Sequence, residues 1–595
     1  MSAPGNPVPV AAPEVPVAAP SQAGPFRAFR EAFREDRLFL LLAVVIGVLS
    51  GLLVVCFRIA IDWCRLYLLG SAVPPSGLRL LLAPSLVGLL VAAIVMLAFP
   101  RVRGSGVNQT KAALYIYNGY IPFRTVIGKF ICSALAIGAG HSLGPEDPAL
   151  QIGAGIASAL GRRLHLSREK VRLIAPVRAA AGLAAAFNAP ISAVLFVIEE
   201  VIGRWSAGVL GAVVLSAVAS AVVERWFLGF APLFRIPAFQ AFRPGEMLAY
   251  AALGVVGGFA SLVFSQAIAI LRPRLKAMPH WTQYFQPAIA GLLVGFIGFI
   301  GFPQVMGAGY EYVDQAMHDQ FTWQVLGILA GLKILSTTIS FVSGTPGGMF
   351  APTLFIGAML GGAVGGVERI LFPQLTGSSA AYALVGIGVL FAAFLRAPMT
   401  SVFMVLEVSG NYSIILPVII ANTIAYLISR ALQPVPIFDL LSRQDGLDLP
   451  SMEEQREMTI VRIEDAMRPL PTTVLGDELT VEEAHRRAEH ALSDVLLVRR
   501  SPSGWSIVRR DELQKMVSLG KGDMSLQSLL PQQRAPILHP DHPLDTALHY
   551  IYDWPLLPVV HRADLLCLVG VLTMADILRA YRSAEEEPAD APQVP

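Results

Sequence analysis

Residues 138–154 read GAGHSLGPEDPALQIGA. Two adjacent carboxylates, Glu146 and Asp147, stand in an otherwise small and apolar run, and Pro148 follows them directly. An Asp at an N-cap and a Pro at the first helical position suit the unpaired amides of a helix start, and the helix dipole draws negative charge to the same end. The order therefore predicts a helix that begins at Pro148 with Asp147 as its cap. Glu146, one residue further out, is left without a structural task. A carboxylate at membrane depth costs on the order of 2.5–3.5 kcal/mol and marks function by default. A glutamate at a solvent-exposed helix start is the plain alternative.

Composition favours depth. The 595 residues are 54% hydrophobic and 15% charged. Apolar runs between residues 38 and 430 repeatedly reach the roughly 20 residues needed to cross a bilayer. Spans are expected near 38–64, 79–99, 124–140, 169–187, 190–203, 206–223, 246–271, 284–302, 321–341, 379–395 and 411–430. Between them lie short pieces bounded by Gly and Pro, at 107–116, 148–161, 349–365 and 398–408. Such half-helices are tolerated at depth only where they are buried or line a cavity, and their N-termini are anion sites. A net charge of +2 gives no sign of nucleic acid. Cys56, Cys64, Cys132 and Cys567 are too scattered for a disulfide framework or metal knuckle and read as apolar fillers. There is no Walker A loop, metal-ligand run or nucleophile elbow, so the chain reads as neither an enzyme nor a metal protein.

Residues 1–24 are rich in Pro and Ala without a basic residue, which excludes a signal peptide and predicts a disordered tail. In the next segment Arg27, Arg30, Arg34 and Arg37 recur at helical spacing with Phe26, Phe29 and Phe33 on another face. This predicts an amphipathic helix on the membrane surface before the first span, cytoplasmic by the positive-inside rule.

The membrane region repeats. PALQIGA at 148–154 matches PTLFIGA at 352–358 in five of seven positions. Ala189-Pro190 followed by Glu199 matches Ala397-Pro398 followed by Glu407 at the same internal spacing. Two related halves with broken helices at corresponding places point to a central transport site. In this pairing Glu146 corresponds to Phe350. Beyond residue 432 hydrophobicity stops. Strands are expected at 495–498, 556–560 and 567–572, with a capping box formed by Thr480 and Glu483. The acidic, proline-rich end, 584–595, reads as a second disordered tail.

Four motifs now stand in order: Gly104-Ser105-Gly106, Gly144-Pro145-Glu146-Asp147-Pro148, Gly347-Gly348-Met349-Phe350-Ala351-Pro352 and Pro436-Ile437-Phe438-Asp439. The set resembles the CLC family of chloride channels and chloride/proton antiporters, whose patterns are GSGIP, GREGP, GxFxP and a late tyrosine. The resemblance implies an all-α polytopic membrane domain of two inverted repeats (25–442), with one anion pathway per subunit of a homodimer. After a linker (443–459), the soluble region resembles an α/β pair of CBS domains (460–520 and 525–583), with GVLTMADIL at 570–578 similar to the closing signature of the second.

Carried over, Glu146 matches the gating glutamate and Glu200 the internal proton-accepting glutamate of the antiporters. A carboxylate at the end of a cytoplasmic span is the plain reading of Glu200. Ser105 and Gly106, with Gly348, Met349 and Phe350 from the second half, would surround the anion, joined by Asp147 and Phe438. Thr573 and Asp576 have the spacing for the ribose of an adenine nucleotide in the second CBS domain, a site that would be single and weak. The ligands implied are chloride and protons, with no resident cofactor.

Four positions depart from the pattern. Pro145 replaces an arginine, Asp147 a glycine, Asn108 a proline and Phe438 the tyrosine. Asp147 adds negative charge beside the route or caps amides an anion would use. Phe438 keeps a ring and loses a hydroxyl donor, which leaves a central anion to Ser105 and backbone amides. Three functions are compatible with these residues: a chloride/proton antiporter gated by Glu146, loosely coupled; a passive chloride channel; and a nucleotide-sensing membrane protein that has lost transport. The expected location is the inner cell membrane, multi-pass, with both termini cytoplasmic.

Overall fold

The computed structural model describes residues 25–70, 77–117, 121–153, 168–203, 207–229, 233–234, 244–373, 378–447, 449, 461–469, 473–491, 493–501, 504–531, 534–562 and 564–586. The expected tail at 1–24, residues 587–595 of the expected tail at 584–595, most of the linker and the end of the 148–161 piece lie outside them; residues 584–586 belong to the helix Met574–Glu586 and not to a disordered tail. Two compact units, Met1–Arg456 and Glu457–Pro595, divide the chain.

The first unit is helical: α1 (Pro25–Leu69), α2 (Leu78–Leu97), α3 (Gly106–Tyr115), α4 (Phe123–Gly138), α5 (146–153), α6 (Arg168–Phe187), α7 (Pro190–Phe196), α8 (Ala207–Leu228), α9 (Met247–Lys276), α10 (Gln286–Phe299), α11 (Tyr310–Met317), α12 (Trp323–Val342), α13 (Phe350–Leu371), α14 (Ser379–Leu395), α15 (Pro398–Ser409), α16 (Ile415–Leu432) and α17 (Ile437–Gln444). Among the described residues seven helical segments are long and apolar enough to cross a membrane. The unit is a multi-pass membrane domain.

Three expectations need correction. The basic segment is not a separate surface helix; it runs without a break into the first span as one 45-residue helix. The piece at 349–365 continues to Leu371, long enough to cross. Helix α5 begins at Glu146, not Pro148: the Pro145 carbonyl accepts the Ala149 amide at 2.8 Å. Asp147 therefore sits in the first turn and does not cap its own helix. Helix α11 is not among the expected pieces; it is short and follows the tight turns at Gly307 and Gly309.

Several contacts recur in both halves. Gly144 and Gly348, 204 positions apart, exchange backbone hydrogen bonds, each amide donating to the other's carbonyl at 2.8 Å. Buried Lys129 donates to the Val102 and Gly104 carbonyls at 3.2 and 2.8 Å, while Lys333, also 204 positions on, donates to Val305 and Gly307 at 3.0 and 2.8 Å. Each lysine thus ties off the loop before α3 or before α11. Helices α7 and α15 both open Ala-Pro. A proline at the first position needs no acceptor, but an alanine cap leaves the next two amides bare. Glu407 accepts Ile191 and Ser192 amides at 2.9 and 2.8 Å, and Glu199 accepts Met399 and Thr400 amides at 3.1 and 2.8 Å. The repeated glutamates are crossed helix caps.

The second unit holds two sheets. Strands β1 (Val474–Gly476), β2 (Val495–Arg499) and β3 (Trp505–Arg509) form one, with β1 parallel and β3 antiparallel to β2; β4 (Leu557–His561) and β5 (Asp564–Leu572) form an antiparallel pair. Thr480 accepts the Glu483 amide as expected. The reciprocal arm of the box is replaced by an ion pair of Glu483 with Arg487. The two cores exchange segments across the expected boundary. Ile463 packs with Leu538, Leu557 and Leu572, whereas Leu526 packs with Leu475, Leu496 and Val508.

Candidate functional site

The N-termini of α3 and α13 converge on the GPEDP turn, where α5 itself starts. Ser105 is the N-cap of α3, its hydroxyl accepting the Val107 amide at 3.2 Å. Glu146 reaches a second helix: its Oε2 accepts the Ala351 amide in the first turn of α13 at 3.3 Å. Asp147 turns the other way, and its Oδ1 accepts the Val107 amide at 3.0 Å and the Ser105 hydroxyl at 3.3 Å. Adjacent carboxylates in one turn thus occupy the N-termini of two helices from opposite halves. Both are fully buried. The approach depends on missing side chains. A Cβ on Gly106 would stand 2.2 Å from the Asp147 carbonyl oxygen, and one on Gly348 2.4 Å from the Asp147 Cβ.

Met349 is the N-cap residue of α13 and Phe350 its first residue, so both lie at the helix end that Glu146 occupies. The Phe350 ring packs edge-on against Phe196 at 5.0 Å, and Phe438 lies 6.4 Å from Phe196 and 6.2 Å from Phe350 between centroids. Phe438 is buried, and its carbonyl accepts the Asn108 side-chain amide at 2.9 Å. Asn108 thereby ties α3 to α17. The Ser105 hydroxyl, which the resemblance assigns to an anion, donates here to Asp147 at 3.3 Å. On the other side of Pro145 a cavity of about 260 Å³ is lined also by Arg58, Arg65, Tyr310 and Glu311.

Glu200 lies in a π-helical turn, Val197–Ile202, that continues α7, a distortion frequent at functional sites. It is buried, and so is not a snorkelling span-end carboxylate. Lys111 of α3 is 2.6 Å away and also pairs with Asp439 of α17 at 3.1 Å. Two carboxylates here share one ammonium, and a proton on either relieves the repulsion between them. Neither Lys111 nor Asp439 is among the residues that the motifs assign to the site. A signal is present in the sequence all the same: an ionisable residue inside an apolar segment is a functional candidate with a partner to be found.

In the second unit Asp576 accepts the Thr573 amide at 3.0 Å and its hydroxyl at 2.5 Å, and pairs with Arg468 at 2.5 Å. Thr573 and Asp576 are therefore brought together as a closed helix cap. A ribose would have to displace both Thr573 and Arg468. Among the described residues no group of three His, Cys, Asp or Glu is arranged to hold a metal.

A multi-pass helical domain of two repeats, whose broken helices present their N-termini to buried carboxylates at the centre, belongs to the class of membrane transport proteins with midplane ion sites. Residues 87–430 match the family model of the voltage gated chloride channel, and residues 528–583 match that of the CBS domain. The H(+)/Cl(-) exchange transporter ClcA of Salmonella arizonae is 31% identical over 445 residues, covering 71% of this chain and 93% of that one. A ClcB-like chloride channel protein of Ralstonia nicotianae is 31% identical over 426 residues, covering 69% and 99%. Among solved structures, a slow cyanobacterial Cl-/H+ antiporter shares 26% identity at a TM-score of 0.63, over 69% of this chain and 98% of its own. A eukaryotic CLC transporter, at 18% identity and a TM-score of 0.58 over 90% and 97%, shares the fold. The chain belongs to the voltage gated chloride channel family and carries a C-terminal CBS domain.

Proposed function

We propose that the membrane unit exchanges chloride for protons across a membrane, with Glu146 as the gate. The observation that carries this reading is the Glu146 carboxylate on the Ala351 amide. Helix N-termini stabilise anions through unpaired amides and the dipole, so a chloride and this carboxylate compete for one place. A proton on Glu146 removes the competitor, which couples the two ions at a single residue. The Lys111–Glu200–Asp439 cluster supports the reading from the inner side, since two carboxylates sharing one ammonium are a place for a proton. The names of the exchange-transporter relatives agree with it. The same reading includes a homodimer in the inner cell membrane with cytoplasmic termini, supported by the resemblance and by the arginines at 27, 30, 34 and 37.

The test is flux from purified protein in liposomes. A chloride gradient should drive protons uphill, and Glu146→Gln should abolish proton movement while anion flux continues. Chloride flux without uphill proton movement in the unaltered protein would identify a passive channel instead.

A further inference from the structure

The Asp147 carboxylate occupies the end of α3, held there by the Val107 amide and the Ser105 hydroxyl. A cap needs one oxygen, and Asp147 supplies Oδ1. Its Oδ2 is equally buried and has no hydrogen-bond partner among the described residues. Unlike Glu146, this side chain is short and its backbone is wedged between Gly106 and Gly348. Swinging clear of the helix end is therefore closed to it.

An anion that came to the α3 end would meet this bare oxygen. With Asp147 ionised, two like charges would share a buried place, which is strongly disfavoured. Protonation of Oδ2 changes the sign of the contact, because a carboxylic acid has an O–H donor where the carboxylate has only acceptors. Oδ1 can keep its two hydrogen bonds throughout. The ionisable groups facing Asp147 are Glu146 in its own turn and Lys129 from α4. The start of α3 faces it with the Ser105 hydroxyl and the Val107 amide, and the α13 end brings Gly348 against its Cβ, none of them ionisable.

We propose that Asp147 binds a proton together with the anion at the end of α3: chloride enters when Oδ2 is protonated, and the new O–H donates to it. The proton comes from the aqueous pathway and returns to it; only that O–H bond forms and breaks. When the proton leaves, the restored charge expels the anion. The proposal rests on the reading of the α3 and α13 ends as anion seats, and it adds a second proton-linked carboxylate beside Glu146. By reciprocity of linkage, chloride must also raise the affinity for the proton.

The experiment titrates chloride into full-length protein carrying Glu146→Gln and Glu200→Gln, which removes both glutamates of the proposed route and leaves Asp439 paired one-to-one with Lys111. Calorimetry in two buffers of different ionisation enthalpy counts protons taken up. Uptake of about one proton per chloride is expected, with affinity falling about tenfold per pH unit while Asp147 is ionised. Adding Asp147→Asn, whose amide donates permanently, should abolish the uptake, flatten the pH dependence and tighten binding at neutral pH by about tenfold or more. Undiminished uptake after Asp147→Asn, or no uptake before it, overturns the proposal. Should Asp147→Asn fail to fold, Asp147→Gly takes its place, and uptake in the background protein decides alone if both fail. The gate reading fails separately, if Glu146→Gln alone retains uphill proton movement in liposomes.

Discussion

Lys111 holds two carboxylates that reach it from 89 and 328 positions away, and all three groups are buried. Lys111→Met leaves Glu200 and Asp439 without this cation, and breaking a buried pair costs about 3–5 kcal/mol. Thermal unfolding in detergent should show a large fall in melting temperature, partly restored by adding Glu200→Gln, which removes one of the stranded charges. A double variant no more stable than Lys111→Met would show that the loss comes from packing of the lysine stem. The same distances explain why the cluster is hard to read from the chain, since local order shows no partner so remote. Glu146 is legible because a carboxylate in an apolar run stands out; its burial removes the plain alternative of an exposed helix start, and it lies on a helix end from the other repeat. Asp147 is legible as a cap but not as the cap of α3: the Asp-Pro order describes α5, while the carboxylate serves a helix 40 positions away.

Among the elements, Glu199 and Glu407 close a two-fold exchange in which the end of each helix caps the start of the other. Glu200, immediately beside Glu199, meets a different partner because successive side chains of any helical turn point in different directions. Removing a cap costs about 0.5–2 kcal/mol. Both Glu199→Ala and Glu407→Ala should therefore destabilise the protein. Glu199→Ala should cost more, because Glu199 is buried and Glu407 only half-buried. Equal melting temperatures for the two variants and the unaltered protein would show that neither contact persists in solution. Hydrophobicity places most of the spans to within a few residues, and the repeat places their equivalents. Neither supplies the reason the glutamates recur, because a crossed cap is a contact between halves and leaves no local period.

For the whole molecule, composition separates the apolar region from the soluble one, but it does not show how the soluble region is divided. The resemblance to a CBS pair puts a boundary near residues 520–525, and residues from either side of it share both cores. Ile463, from the leading segment, is buried among Leu538, Leu544, Leu557 and Leu572, and the Arg468 amide donates to the Val571 carbonyl at 2.9 Å. In return Leu526, beyond the boundary, is buried with Leu475, Val481 and Leu513, and its amide donates to the Leu479 carbonyl at 2.9 Å. Burying one leucine side chain is worth about 1.5–3 kcal/mol, a large share of the stability of a small domain. Neither half keeps a complete core when the chain is cut there. A fragment of residues 457–595 should unfold in one cooperative transition by circular dichroism, whereas 457–520 and 521–595 should show none when prepared separately. Mixing the two should restore a transition, because each carries the segment the other lacks. A cooperative melt of 457–520 alone would mean that the exchanged segments decorate two independent cores instead of completing them.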